Sequence, residues 1–366
     1  MSSTGAGRIP VCRPLLPDAD TLLPYLRRID GHRWYTNFGP LAGELGRRIA
    51  DRLQVSPSRV VMAANATAAL TAVMMPHGRL GDGQPPLALM PSWTFVATAH
   101  AAETAGLMPF FADVDPASWQ LTPDIARAAV AAAPRPVAAV VVVSPFGAAV
   151  DLAGWERFGD ETGIAVIVDA AAGFDTAGAG RLTTVVSLHA TKALPAGEGA
   201  FIVCPDESHA SETIRRINFG FHGSRDSNVV AGNSKISEYH AAVGLAALDQ
   251  WPARRQAYRR AIDGYRERLG DSGICLQDGV GAEWVTATLV ATWPGAAAAA
   301  ARLAGRQIET RAWWGNGCHA HAAFAHCPRL PLPATARLAA DTIGLPLSLD
   351  ITAEEIDRIA AVLREG

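Results

Sequence analysis

Residues 164–169 read IAVIVD and residues 183–192 read TTVVSLHATK, and these two stretches decide the fold. In each, a short β-branched run leads directly into polar side chains: Asp169 in the first, Ser187 and Lys192 in the second. Runs that are apolar throughout predict strands covered on both faces, as in parallel sheets. In open α/β sheets the ligand site lies beyond the carboxyl ends of the strands. Both stretches are therefore expected to deliver polar groups to one crevice.

The same pattern continues through the first two thirds of the chain, where β-branched runs alternate with Ala-rich helical segments. This alternation predicts βαβ units on a mostly parallel sheet covered by helices. The predicted strands are 59–62, 87–90, 108–114, 137–143, 164–168, 183–188 and 200–204. The predicted helices are 67–75, 95–104, 123–133 and 153–162.

The pattern changes near residue 237 to two long predicted helices, 238–250 and 253–269, followed by a smaller mixed region. The last helix opens with Thr352 and Glu355 in the spacing of a capping box. We therefore predict a large α/β domain over residues 1–245, with a seven-stranded, mostly parallel sheet. A smaller α+β domain is expected over residues 246–366.

Composition narrows the class of protein. The 366 residues suggest about two domains. Lys and Arg number 32 against 35 Asp and Glu, so the net charge of −3 argues against nucleic-acid binding. The longest aliphatic run, 137–143, is far shorter than the ~20 residues that span a bilayer. Five widely spaced cysteines without a CxxC pair, and no evident signal peptide, favour a cytoplasmic protein.

The polar groups expected at the crevice form a specific chemical set. Lys192 lies between a Ser/His/Thr cluster and the Gly-rich loop 197–199, where backbone can approach a ligand closely. The segment Asn65-Ala66-Thr67 ends a predicted strand and opens a helix, which creates an anion site from backbone N–H groups. A structural ion pair between Asp169 and Lys192 is the simpler alternative.

An amine, a carboxylate and a phosphate cradle are what pyridoxal phosphate (PLP) requires. The amine forms a Schiff base with the aldehyde, the carboxylate keeps the ring nitrogen protonated, and a helix N-terminus holds the phosphate. An aromatic side chain usually stacks on the ring. Phe95 is the first candidate for that role and Trp93 the second, the alternative being that both are core aromatics.

Further stretches occur in one order along nearly the whole chain: NFGP (37–40), NATAAL (65–70), PSWTFVAT (91–98), FADVD (111–115), DAA (169–171), SLHATKALPAGEGA (187–200), GNSKISE (232–238) and LPL (345–347). In this order they resemble the DegT/StrS family of fold-type I PLP enzymes, most of which are sugar aminotransferases acting on nucleotide-linked keto sugars.

The resemblance implies roles for individual residues. Lys192 would be the Schiff-base lysine, Asp169 the partner of the pyridinium nitrogen, and Phe95 the ring that stacks on PLP. The remaining implied cofactor contacts are to the phosphate, from Ala66, Thr67 and Ser187 of one subunit and from Asn233 of its neighbour. A site completed across an interface implies an obligate homodimer.

Three departures from the family pattern leave the acceptor open. Ala172 stands where family members commonly have Gln or His near the cofactor hydroxyl. The loop 194–200 replaces the usual Thr-Thr-Gly-Glu-Gly-Gly sequence, and Lys235 stands where Arg is usual. The lysine and aspartate chemistry is unaffected, but the identity of the substrate is not determined.

Four residues are substrate-binding candidates. His189 is close in sequence to Ser187 and Lys192, although a structural role is as plausible. By the resemblance, Arg311, Trp314 and His319, together with Trp313, lie where the small domain folds over the substrate, although Arg311 could also simply be a surface residue. His319, His321, His326 and Cys327 match neither a zinc finger nor a helical metalloenzyme motif, so we predict no metal.

These observations predict a PLP-dependent transaminase that moves an amino group from an amino acid, by the resemblance glutamate, to a nucleotide-linked keto sugar. Three alternatives remain open. The acceptor could be a cyclitol or another small ketone. The enzyme could be a PLP-dependent dehydratase, although that branch of the family has His in place of Lys192. The protein could also be a non-catalytic PLP-fold protein with a regulatory or binding role.

Overall fold

The computed structural model describes residues 7–79, 83–178 and 180–365. Within these ranges the chain forms strands β1 (Val60–Ala63), β2 (Leu87–Pro91), β3 (Met108–Ala112), β4 (Val137–Val143), β5 (Ala165–Asp169), β6 (Thr183–Ser187), β7 (Ala200–Val203), β8 (Cys275–Leu276), β9 (Leu289–Thr292) and β10 (Thr342–Leu345). Its helices are α1 (Ala19–His32), α2 (Pro40–Leu53), α3 (Ala66–Met74), α4 (Val96–Thr104), α5 (Pro123–Ala131), α6 (Leu152–Thr162), α7 (Glu207–Ile217), α8 (Glu238–Asp249), α9 (Trp251–Leu269), α10 (Ala296–Gly305), α11 (Pro333–Asp341) and α12 (Ala353–Arg364).

The first seven strands form one sheet in the order β1-β7-β6-β5-β4-β2-β3. Strand β7 runs antiparallel to β1 and β6, and the other neighbours are parallel. The predicted seven-stranded, mostly parallel sheet is thus confirmed. The register places Asp169 beside Val143 and Val185, so the carboxyl ends of β4, β5 and β6 meet at one edge.

Helices bury both faces of this sheet, which explains why β4 is apolar throughout. Val140 and Val142 of β4 belong to one core cluster, whereas Val141 between them belongs to the cluster on the opposite face. Side chains alternate across a strand, so a strand covered on both faces must be apolar at every position.

The predicted helices in the sheet region are present, with ends that shift by one or two residues. The capping box of α12 is also confirmed, since Glu355 N donates to Thr352 Oγ1 at 3.2 Å and Thr352 N donates to Glu355 Oε2 at 3.0 Å. Helix α2 was not predicted. Its first turn is stabilised by the buried carboxylate of Glu238, which accepts from Leu41 N and Ala42 N at 2.8 Å each. The cap itself leaves no local signal, but Pro40 in the first turn and the helical spacing of Leu41, Leu45 and Ile49 could have revealed the helix.

A second sheet, of antiparallel strands in the order β10-β9-β8, lies in the C-terminal third with α10, α11 and α12. The N-terminal segment returns to this region, because Ile9 pairs with Ile308 and Cys12 with Leu347. The predicted boundary at residue 245 falls within α8, and the division into 1–245 and 246–366 stays a prediction. Among the described residues, no helix combines the length and apolar character needed to cross a membrane.

Candidate active site

Asp169 is the last residue of β5 and is only 5% exposed. Thr98 Oγ1 donates to its Oδ2 at 2.7 Å, and Ala171 N donates to its Oδ1 at 3.1 Å. Burial raises the pKa of Asp169 above its ordinary value, while these two hydrogen bonds and the charge of Lys192 oppose the rise. A cationic ligand group at this position would favour the ionised carboxylate.

Lys192 lies in the loop that joins β6 to the antiparallel strand β7. Short backbone hydrogen bonds hold this loop: Lys192 N donates to His189 O at 2.9 Å, and Ala190 N donates to Gly197 O at 2.8 Å. Burial lowers the pKa of Lys192, although the Asp169 carboxylate and the Cys12 thiol oppose the change. A lowered pKa increases the fraction of neutral, nucleophilic amine.

The N-terminus of α3 is an anion-binding end. The N-cap side chain of Asn65 accepts from Ala68 N at 2.8 Å, and Asn65 O accepts from Ala69 N at 3.0 Å. The amides of Ala66 and Thr67 have no acceptor inside the helix because they lie in its first turn. Together with the helix dipole, they present positive charge to a phosphate.

A cavity of about 740 Å³ joins these groups. Of the candidates from the sequence, its lining contains Ala66, Thr67, Phe95, Asp169, Ser187, His189, Lys192 and Trp314. The two stacking candidates differ in exposure: Phe95 is 56% exposed, whereas Trp93 is 3% exposed within an aromatic cluster. Of these two candidates, Phe95 is therefore the one that can contact a ligand in the cavity.

Ser187 and His189 lie beside Lys192 at the carboxyl end of β6. Ser187 is buried, and its hydroxyl accepts from His189 N at 3.2 Å. The His189 ring hydrogen-bonds Thr191 Oγ1 through Nδ1 at 2.9 Å, and its Nε2 lies 3.8 Å from Glu198 Oε1. The ring is thus oriented by two neighbours while it lines the cavity.

Three candidates lie outside this lining. Asn233 is in an exposed loop, where its Oδ1 accepts from Lys235 Nζ at 2.6 Å. Arg311 lies over Trp313 at 5.1 Å and is 3.7 Å from Glu309. His319 Nδ1 shares a 2.6 Å hydrogen bond with the hydroxyl of Ser92. Within one chain, none of the three contributes to the cavity wall.

Among the other residues of the lining, Cys12, Thr98, Phe146 and Glu198 were not assigned a role from sequence. Thr98 follows Phe95 by three residues, so helical spacing places both on one side of α4 and could have revealed it. Phe146 has no such signal. It follows β4 in a left-handed backbone conformation with φ of 55° and stacks on Trp314 with ring centroids 4.0 Å apart.

The residues around the cavity fit PLP. The buried carboxylate of Asp169 suits a protonated ring nitrogen, the amine of Lys192 suits the aldehyde, and the N-terminus of α3 suits the phosphate. Phe95 adds an exposed aromatic face. Ala172 lines the cavity and offers no side-chain hydrogen bond to a ring hydroxyl.

Comparison with known proteins places the chain in a family. Residues 18–364 match the model of the DegT/DnrJ/EryC1/StrS aminotransferase family. The chain is 30% identical to Protein Rv3402c of Mycobacterium tuberculosis, over 98% of this chain and 90% of that protein. It is also 30% identical to the dTDP-4-amino-4,6-dideoxy-D-glucose transaminase of Shigella dysenteriae, over 73% of this chain and 72% of that enzyme.

The fold agrees with this match. The crystal structure of DesI, solved in the presence of its TDP-sugar product, superimposes with a TM-score of 0.87. That chain is 32% identical, and the alignment covers 98% of this chain and 93% of DesI. The architecture is that of fold-type I aminotransferases, as the sequence predicted. The chain belongs to the DegT/DnrJ/EryC1/StrS aminotransferase family and is a transaminase.

Proposed function

We propose that this protein uses PLP to transfer an amino group from an amino acid, glutamate, to a nucleotide-linked keto sugar. The observation that carries the proposal is the meeting of Lys192, Asp169 and the N-terminus of α3 around one cavity. The relatives support the choice of acceptor, because the Shigella dysenteriae enzyme is named for a dTDP-linked amino sugar and DesI was solved with a TDP-sugar.

The residues of this chain divide the work between binding and proton transfer. When bound, PLP supplies an electron sink for the electron pair left at the substrate carbon. Lys192 Nζ, whose pKa is lowered by burial, takes the proton from Cα of the amino donor. Asp169 holds the ring nitrogen in its protonated form, and Thr98 orients the carboxylate through its 2.7 Å hydrogen bond. The amides of Ala66 and Thr67, with Ser187, hold the phosphate.

The cavity wall suits a sugar acceptor. Phe95, Phe146, Trp313 and Trp314 give it several aromatic faces, and ligand sites commonly combine such faces with a few polar groups. His189 and Glu198 supply those polar groups near Lys192, where His189 binds a substrate hydroxyl or assists a proton transfer. The cavity volume of about 740 Å³ lies within the usual range for small-molecule sites, roughly 300–1,000 Å³.

A homodimer would complete the site. Large hydrophobic side chains are exposed near the loop that carries Asn233: Trp34, Tyr35, Phe38, Phe219 and Tyr239. Two contacts lie in this region, since Tyr35 stacks on Tyr239 at 6.3 Å and Lys235 lies 4.5 Å from the Phe219 ring. Contiguous exposed apolar surface indicates an interaction site. In such a dimer Asn233 would reach the phosphate of the partner's cofactor.

The location and domain division complete the proposal. Five free cysteines are typical of a reducing compartment, which supports a cytoplasmic enzyme. The large domain over residues 1–245 would bind the cofactor, and residues 246–366 would form the smaller domain beside the acceptor.

Donor and acceptor can be tested with PLP-loaded protein. Glutamate, aspartate and alanine are supplied with a panel of dTDP- and UDP-linked keto sugars and with keto-cyclitols, and the keto acid and aminated product are quantified. We expect 2-oxoglutarate and an aminated nucleotide sugar, with no product from Lys192→Ala. Amination of cyclitols alone would favour the alternative acceptor. Bound PLP without amino transfer from any donor would favour a non-catalytic role.

The shared site can be tested by mixing two impaired variants. A heterodimer of Lys192→Ala and Asn233→Ala chains has one intact site and one doubly altered site. Mixing equal amounts under conditions that allow subunit exchange should therefore restore about a quarter of wild-type activity. No recovery, together with a monomer in light scattering, would refute the shared site.

A further inference from the structure

A second group of chemically reactive side chains lies outside the active site. Glu103, His326 and Cys327 place one potential ligand atom each within 4.8 Å of the others. His326 Nε2 is 3.2 Å from Glu103 Oε1, Cys327 Sγ is 3.8 Å from that same oxygen, and the sulfur is 3.7 Å from His326 Nε2. The three atoms therefore form a nearly regular triangle.

These distances match the edges of a coordination tetrahedron. A zinc ion with bonds of about 2.0–2.1 Å to nitrogen and oxygen and about 2.3 Å to sulfur requires roughly 3.3 Å between N and O ligands and roughly 3.6 Å between S and either of them. The observed edges deviate from these values by a few tenths of an ångström. A simple Glu103–His326 ion pair would explain the first distance but would not require the Cys327 sulfur to be equidistant from both partners.

The local charge also favours a cation. Glu103 lies in the last turn of α4, where its carboxylate adds to the negative end of the helix dipole. Cys327 is 4% exposed, and its sulfur lies 3.8 Å from this carboxylate. A divalent ion would offset the negative charge of the Glu103 carboxylate and of the helix end, and it would bind Cys327 as a thiolate.

We propose that Glu103, His326 and Cys327 bind one Zn²⁺ ion. The fourth position is open to water, because the His326 side chain is 56% exposed and leaves this side of the cluster accessible. A thiolate, an imidazole and a carboxylate form a donor set that zinc prefers. The site is independent of the proposed transaminase function.

The expected role of the ion is structural. The segment 318–330 packs beside β3, where Phe111 N donates to Pro328 O and Leu330 N donates to Phe111 O, both at 3.0 Å. Zinc would join this segment to the C-terminal end of α4. The other end of α4 carries Phe95 and Thr98, so the ion would help to hold the helix that faces the cofactor cavity.

The sequence led us to predict no metal because the His and Cys spacing fits no zinc motif. Of the His and Cys residues considered there, the cluster uses only the adjacent His326 and Cys327. Its third member, Glu103, comes from a helix more than 200 residues earlier. Spacing along the chain could not have shown this arrangement.

Zinc content of the untagged holoenzyme tests the proposal. The protein is equilibrated with Zn²⁺, passed over a desalting column and analysed for metal by mass spectrometry. We expect about one zinc per chain in the wild type. Glu103→Gln, His326→Ala and Cys327→Ser should each lose most of the bound zinc. His321→Ala and Cys275→Ser, which alter exposed residues outside the cluster, should retain it.

A second readout covers variants that fail to fold. Wild-type protein loaded with Co²⁺ should show the visible d–d bands of a tetrahedral site and a thiolate charge-transfer band, and Zn²⁺ should displace both. Removal of zinc with a chelator should lower Tm in the wild type but not in His326→Ala. Wild-type protein that retains no more zinc than His326→Ala, with no thiolate–cobalt band, would overturn the proposal whether or not the enzyme is active.

Discussion

The cavity has a floor, formed by Asp169, Ser187 and Lys192, and a lid side, formed by the segment 311–319. The two differ in how their residues are held. Asp169 and Ser187 end neighbouring strands whose register is set by backbone pairing, and Lys192 lies in the loop 188–199, which backbone hydrogen bonds hold between β6 and β7. On the lid side, Arg311, Trp314 and His319 come from one irregular segment, and only Trp314 lines the cavity. Positions at strand ends are determined by the sheet, whereas positions in long loops depend on side-chain contacts made elsewhere in the fold.

Among the substitutions on the floor of the cavity, that of Lys192 should lower kcat most. Lys192→Ala should lower kcat by at least about 10²–10⁴-fold, because the proton at the donor Cα loses its base. Single-turnover kinetics with glutamate measures the change. Lys235→Ala is the matched control, since it removes an amine at an exposed loop and should retain the chemical step. Equal losses of kcat in both variants would mean that Lys192 is not the base that takes the proton.

Thr98→Val should have the next largest effect. It removes a hydrogen bond to a charged carboxylate, worth about 1.5–3 kcal/mol, so kcat should fall about tenfold to hundredfold. The Thr98 bond lowers the pKa of Asp169, and its loss should raise that pKa further. Activity of the variant should therefore begin to fall at a higher pH than in the wild type as the solution is acidified.

Thr94→Val is the control for this prediction. Thr94 Oγ1 hydrogen-bonds Thr98 Oγ1 at 2.9 Å, and no direct bond from Thr94 to Asp169 is present in the described chain. Its pH profile should match that of the wild type. An acid limb shifted equally in both variants would contradict the assigned role of Thr98.

Substitutions of Trp314 and Arg311 should differ in their effect on KM, although both residues belong to the lid side. Trp314→Ala should raise KM for the acceptor about two- to tenfold, because the loss of its stack on Phe146 disturbs the aromatic wall. Arg311→Ala should leave KM for both substrates unchanged, since its side chain contacts Glu309 and Trp313 at the surface. A large rise in KM for Arg311→Ala would show that the segment closes over bound substrate.

The smallest effect is expected at His319. His319→Gln should change the free energy of unfolding by about 0.5–1.5 kcal/mol, because it perturbs the hydrogen bond to Ser92, and should leave kcat unaltered. Urea denaturation and steady-state kinetics measure the two quantities. His321→Gln, at an exposed neighbour, is the control and should alter neither. A loss of kcat in His319→Gln without a change in the free energy of unfolding would show that His319 acts in the active site.

The same contrast explains what could be predicted from the sequence. Asp169 ends β5 and Ser187 ends β6, with Lys192 in the loop that follows, so position along the chain implies position at the sheet edge. Phe146 and Glu103 owe their neighbours to tertiary packing, and helix α2 owes its cap to Glu238, nearly 200 residues away. No local pattern in the sequence contains such information. Arg311 and His319 were assigned by resemblance alone, and in the structure both contact other protein groups.

The central claim, that Lys192 is the cofactor-binding amine, has one direct test. The chain contains only two lysines, Lys192 and Lys235. PLP-loaded protein is reduced with borohydride, which fixes the cofactor to the amine that holds it, and the labelled residue is identified by peptide mass spectrometry. The label should be on Lys192, with labelling unchanged in Lys235→Arg. A label on Lys235 alone, or no label on a protein that transfers amino groups, would contradict the account.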